Sequence, residues 1–155
     1  MTSPSPGTAA TPVGGTVSGA PRRWLRLEGA TALAGALLAY TTTHQAWWLI
    51  PLTLLGPDLS ALGYLHGNRL GARLYNAAHV TPLPAAAIAI GWWQHAPLLC
   101  ALGLIWLAHI GIDRLLGYGL KYSDDPQHTH LGQKGAKART TTARKLGAPA
   151  EEPTL

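Results

Sequence analysis

Between Trp24 and Tyr122 the chain is built of four apolar runs, over residues 24–40, 47–65, 72–93 and 97–120, separated by short polar connections. Each run is close to the ~20 residues that a helix needs to cross ~30 Å of hydrocarbon. Prolines at 51, 57, 82 and 84 are awkward for soluble helices. In a membrane bundle, neighbouring helices satisfy the carbonyls that proline frees. Short connections make successive helices antiparallel neighbours. The pattern predicts an all-α fold, a four-helix transmembrane bundle over residues 22–122.

The flanks read differently. Residues 1–21 are rich in Ser, Pro, Thr, Gly and Ala, with no apolar stripe, and predict a disordered tail. A cleaved signal peptide is disfavoured: Arg22 and Arg23 lie far from Met1, Glu28 interrupts the first run, and no small-x-small cleavage site follows it. Residues 123–155 predict a basic, mostly disordered cytoplasmic tail, in which His128-Thr129-His130-Leu131-Gly132 is the segment with a claim to order. Gly63, Gly67 and Gly71 have the four-residue spacing of a helix contact, but run into the turn His66-Gly67-Asn68, so turn chemistry is the first reading.

Charge adds an orientation. Arg22, Arg23 and Arg26 precede the first run, Arg69 and Arg73 flank the second connection, and Lys121 and the basic tail follow the fourth run. The first and third connections hold no Lys or Arg, so the positive-inside rule places both termini in the cytoplasm of a protein in the inner (cell) membrane. Trp47-Trp48 and Trp92-Trp93 then fall at the outer interface, as an aromatic belt requires. Tyr64, Tyr75, Tyr118 and Tyr122 read as the corresponding inner anchors. A net charge of +5 raises nucleic acid as a partner, but the cations border apolar segments, so membrane lipids with anionic headgroups are the expected partners. The single cysteine, Cys100, excludes an intrachain disulfide and reads as a packed or lipid-facing thiol.

Ionisable groups in a membrane helix cost roughly 2.5–3.5 kcal/mol each on insertion scales. Asp58, His79, His109, Asp113 and Arg114 therefore need a reason to be there. The first four fall in the cytoplasmic half of the bilayer. His109 and Asp113 are four residues apart and share a helix face, as do Asn76 and His79 at three apart. Two imidazoles and two carboxylates suit a divalent metal such as Zn, Mn or Fe. Asp58, His79, His109 and Asp113 are the expected ligands, with His130 closing the site from the tail. Asn76 is the expected substrate or outer-layer contact, and Arg114, with Lys121, the expected phosphate holder. The bland alternatives are an ion pair between Asp113 and Arg114 or Lys121, and Asn76 and His79 as interhelical hydrogen-bond glue. Glu28 is expected to pair with Arg22 or Arg26, and His44 and His95 to lie on the surface.

No Gly-x-Ser-x-Gly nucleophile motif and no phosphate-binding Gly-x-x-x-x-Gly-Lys occurs. Several blocks together resemble the domain-of-unknown-function family 4260: Pro57-Asp58-Leu59-Ser60-x-Leu62-Gly63-Tyr64, Gly71-x-x-x-Tyr75-Asn76-x-x-His79, the stretch from Trp106 through His109, Asp113 and Gly117-Tyr118-Gly119 to Tyr122, and Thr129-His130-Leu131-Gly132. The family pattern has an acidic residue just before the last block, where this chain has His128. The resemblance covers about residues 24–133 and implies a small multi-pass bacterial membrane protein. At the level of pattern, the order Asp, Tyr-Asn-x-x-His, His-x-x-x-Asp is also similar to membrane-bound metal-dependent hydrolases. Three readings follow: a metal-dependent hydrolase of a lipid or lipid-like ester, a small transporter or proton-coupled carrier working as a homo-oligomer, and a structural or partner-binding membrane protein. A variant of the second places haem between His79 and His109.

Overall fold

The computed structural model describes residues 15–134. The chain is mostly helical, but the helices do not coincide with the four apolar runs. Helix α1 spans Gly19–Thr41, starting upstream of the first run. It ends on three consecutive threonines, whose hydroxyls at 41, 42 and 43 donate to the carbonyls of Leu38, Ala39 and Tyr40. These bonds satisfy acceptors that the last helical turn leaves open.

The second and third runs, expected as single helices, are each divided. Helix α2 is only Leu49–Thr53, and after a turn the chain continues as a 3-10 helix over Gly56–His66. Pro57 is the cause: it has no N–H to donate and its ring crowds the preceding turn. In the third run, α3 (Asn68–Ala78) and α4 (Pro82–Trp93) flank a break at residues 79–81. Pro82 and Pro84 tolerate only the first turn of a helix, where the missing donors have no partner to lose.

Helix α5 spans Pro97–Leu116 and stops four residues short of the predicted end. Gly117 adopts φ +83, its N–H reaches Arg114 O at 3.0 Å, and the Tyr118 N–H reaches Asp113 O at 2.7 Å. This bond pair and left-handed glycine are a Schellman stop. Among the described residues, α5 is the one helix long and apolar enough to cross a membrane by length and composition. Helix α1 is longer, but carries Arg22, Arg23, Arg26 and Glu28. Neither divided run offers a continuous helix of that length.

Helix α5 is the hub. Helices α1 and α4 pack on it, while the 3-10 helix and α3 pack chiefly on each other. Glycines permit the close approaches. A Cβ on Gly29 would stand 2.9 Å from Gly111 O, and one on Gly111 would stand 2.8 Å from Gly29 O, so α1 and α5 touch backbone to backbone. The core between them is Ala36, Tyr40, Ala101, Leu104, Ile105 and Ala108. The 63/67/71 glycines split their duties: Gly63 and Gly71 lie where the 3-10 helix meets α3, whereas Gly67, at φ +112, makes the turn. The outer surface is unusually apolar, with Leu65, Trp92 and Trp93 each at least 80% exposed.

Beyond α5 the chain is ordered where a disordered tail is expected. Strands β1 (His128–Thr129) and β2 (Gly132–Gln133) form an antiparallel hairpin, tied back by a bridge between Lys121 and Thr129. Leu131 and Thr129 are buried beneath it. The chain before α1 runs against this hairpin, with the Val17 N–H donating to His130 O at 2.8 Å. The remaining parts of the predicted tails, 1–14 and 135–155, lie outside the described residues.

Candidate metal centre

The break in the third run positions the first imidazole. His79 follows the last residue of α3, and its Nδ1 lies 2.7 Å from Tyr75 O one turn back. A carbonyl can only accept, so Nδ1 carries the proton and Nε2 presents its lone pair. The indole N–H of Trp106 donates to Ala78 O at 2.6 Å, fastening the end of α3 to α5. His109 and Asp113 project from one face of α5, and Asp58 comes from the 3-10 helix just after Pro57.

These four side chains converge. His79 Nε2 lies 3.1 Å from His109 Nε2, 3.4 Å from Asp58 Oδ1 and 3.6 Å from Asp113 Oδ2. His109 Nε2 lies 3.6 Å from Asp58 Oδ1 and 3.9 Å from Asp113 Oδ2. All four ligand atoms fall within 4.8 Å of one another. A tetrahedral ion with bonds of about 2.0–2.1 Å sets its ligand atoms roughly 3.3–3.4 Å apart. The observed edges bracket that value, so a small divalent cation fits with little movement. A haem does not fit between the two imidazoles, because both carboxylates already crowd the same space. Both histidines are buried, while Asp58 is about 45% exposed and forms the open side of the centre.

Tyr75 is a site residue that sequence reasoning misassigned to the membrane interface. It is buried, its ring stacks on His79 at 3.6 Å, and its hydroxyl donates to Asp113 Oδ2 at 2.9 Å. One side chain thus orients two ligands from different helices. Its spacing, one helical turn before His79, was the available signal. Lys121 covers the other face of this ring, with Nζ 3.8 Å from the centroid. Burial pulls the Lys121 ammonium below its ordinary pKa, and Asp113 and Asp58 pull it back.

Three expected participants have other duties. The Asn76 amide donates to Lys121 O at 2.9 Å and accepts from the Lys121 N–H at 2.7 Å, so it clips α3 to the chain beyond α5 and does not reach a substrate. Arg114 Nη2 donates to Thr81 Oγ1 at 3.0 Å, bracing the α3–α4 break. Together with His79 and Asp113 it borders a cavity of about 10 Å³, space for a single water at most. His130 stands apart from the four ligands: its Nδ1 accepts the Leu120 N–H at 2.9 Å. Glu28 is exposed and forms no ion pair among the described residues. His44 and His95 are exposed turn residues with positive φ, as expected of surface positions.

The His130 bond makes a pH-dependent latch. Burial lowers the His130 pKa below its ordinary 6.5, with the Arg114 charge acting in the same direction. The unfolded hairpin therefore binds the proton more readily, and the latch contributes stability above about pH 6.5 that fades as pH falls. Amide exchange at Leu120, corrected for its intrinsic pH dependence, is expected to show less protection at pH 5.5 than at pH 7.5. His130→Phe should remove that difference.

Beside the centre runs an open groove of about 370 Å³, bordered by Pro57, Ser60, Ala78, Leu102 and Trp106. Its polar hydrogens are already used: Ser60 donates to Pro57 O, Thr53 to Leu49 O and Trp106 to Ala78 O. The wall thus offers few donors to a ligand.

Residues 22–133 match the family model described as a domain of unknown function, DUF4260, and the chain belongs to that family. No curated protein and no solved structure matches the chain.

Proposed function

We propose that this DUF4260 protein is a multi-pass inner-membrane protein that binds one divalent metal ion through Asp58, His79, His109 and Asp113 and hydrolyses a lipid or lipid-like ester from the cytoplasmic side. The observation that carries this reading is the convergence of four ligand atoms, drawn from three segments, within 4.8 Å. Four uncompensated ionisable groups do not gather in an apolar bundle without cost. A bound cation removes that cost and supplies Lewis acidity, which activates water and polarises an ester.

The chain's own residues prepare the site for this task. Tyr75 O holds the proton on His79 Nδ1, and the Tyr75 hydroxyl orients Asp113. Asp58, the exposed ligand, is the one that can shift to admit water or substrate. The adjacent groove, poor in free donors and open at its side, suits a hydrocarbon chain better than a sugar or a peptide. The apolar outer surface favours a lipid environment. The two divided runs fit there as discontinuous helices, whose irregular backbone lines a site.

A second reading has its own observation. Four protein ligands close a tetrahedral site, and closed sites are generally structural. In that case the ion holds the α3–α4 break in place and turns nothing over. Elemental analysis together with ester hydrolysis separates the two. The protein is expected to carry about one divalent ion per chain, and chelation should abolish hydrolysis of long-chain esters, with recovery on adding the metal back. A metal-loaded protein without turnover leaves the structural role, and protein free of metal at every purification pH defeats both.

A further inference from the structure

A second ligand site lies at the far end of α5, away from the four metal ligands. The helix stops at Leu116, and three cations from two other parts of the chain gather on its last turn. Arg26 Nε donates to Leu115 O at 2.7 Å, and Lys134 Nζ donates to Leu116 O at 2.9 Å. The Arg22 guanidinium lies across Gly132, within 3.3–3.7 Å of where a Cβ would stand. Its Nε is buried and has no hydrogen-bond partner.

Capping accounts for only part of this charge. A helix C-terminus carries roughly half a negative elementary charge, against three full positive ones. No carboxylate forms an ion pair with Arg22, Arg26 or Lys134 among the described residues. The excess is felt locally: burial, then Arg22 and Arg26, lower the affinity of Lys134 for its proton.

The cations also leave a place for a counter-charge. A Cβ on Gly117 would stand 3.3 Å from Arg22 Nη2 and 3.6 Å from Lys134 Nζ, with no other atom beyond the chain neighbours inside 4 Å. The notch is therefore open, flanked by two donors, and kept open by a residue that its φ of +83 restricts to glycine.

We propose that the notch over Gly117 binds a phosphate-type oxyanion, with one oxygen seated between Arg22 and Lys134. Such an oxyanion comes either from an anionic phospholipid headgroup at the cytoplasmic interface or from a free phosphate. Charge-assisted bonds of this kind contribute about 1.5–3 kcal/mol each, so loss of one donor weakens binding by about tenfold or more.

The test uses the full chain in detergent. Native mass spectrometry compares retention of phosphatidylglycerol with phosphatidylcholine. Thermal unfolding compares inorganic phosphate with chloride at equal ionic strength. Preferential retention of phosphatidylglycerol identifies the headgroup as the source, and a rise in Tm with inorganic phosphate alone identifies free phosphate. In either case Lys134→Gln should weaken the effect at least tenfold while leaving the metal content unchanged. Arg22→Gln should do the same if it folds, and Lys134→Gln carries the test if it does not. No preference for either anion over its control, or an equal preference in Lys134→Gln, overturns the proposal.

Discussion

His109→Ala is expected to empty the metal centre. Its Nε2 is the atom nearest to His79 Nε2, at 3.1 Å, and it faces both carboxylates from the rigid middle of α5. Removing it leaves three ligands, two of them anionic, around a cation that prefers four. Loss of an outer-layer partner of a metal ligand costs about 10–100-fold in metal affinity or activity. Loss of the ligand itself should exceed that. Tyr75→Phe supplies the internal comparison, since it removes only the hydroxyl that orients Asp113 and keeps the ring on His79. Metal titration of the two variants should rank wild type above Tyr75→Phe and Tyr75→Phe above His109→Ala. Equal affinities in all three place the ion elsewhere.

The second large effect is mechanical. Gly29→Leu should destabilise the fold more than any other single change on α1. A Cβ there would stand 2.7 Å from Arg114 Cβ, 2.8 Å from Leu115 N and 2.9 Å from Gly111 O. Two of these are backbone atoms of α5 that no rotamer change can move. Overpacking costs about 1–3 kcal/mol where side chains give way, so the upper end or beyond applies at this crossing. Gly35→Leu, on the same helix with nothing within 4 Å, is the control and should be nearly silent. Thermal unfolding of the pair measures the contrast, and similar Tm values for the two would mean that α1 and α5 do not meet at Gly29.

Much of the site was legible in the sequence because it obeys short-range helical geometry. The His109/Asp113 pair follows from a spacing of four, and Asp58 and His79 from the cost of ionisable groups in apolar runs. The misreadings share a cause, the failure of the second and third runs to stay α-helical. Apolar composition alone does not distinguish a continuous helix from two pieces joined at Pro57 or at residues 79–81. The duties of Asn76 and Arg114 depend on the partners that those breaks create, Lys121 and Thr81. Tyr75 was hidden by a plausible alternative, since a tyrosine near a basic residue reads as an interface anchor until its neighbours are known. His130 was placed in the right vicinity, but its ring nitrogen is used by a local backbone contact of the hairpin, which no residue pattern announces.

The measurement closest to the central claim is X-ray absorption at the metal edge of the purified protein, paired with the same spectrum from His79→Ala. Asp58, His79, His109 and Asp113 predict a shell of nitrogen and oxygen ligands at about 2.0–2.2 Å with imidazole outer scattering, and a weaker imidazole signal or no metal in the variant. A wild-type spectrum with sulfur ligands, or one that His79→Ala leaves unchanged, would contradict the assignment.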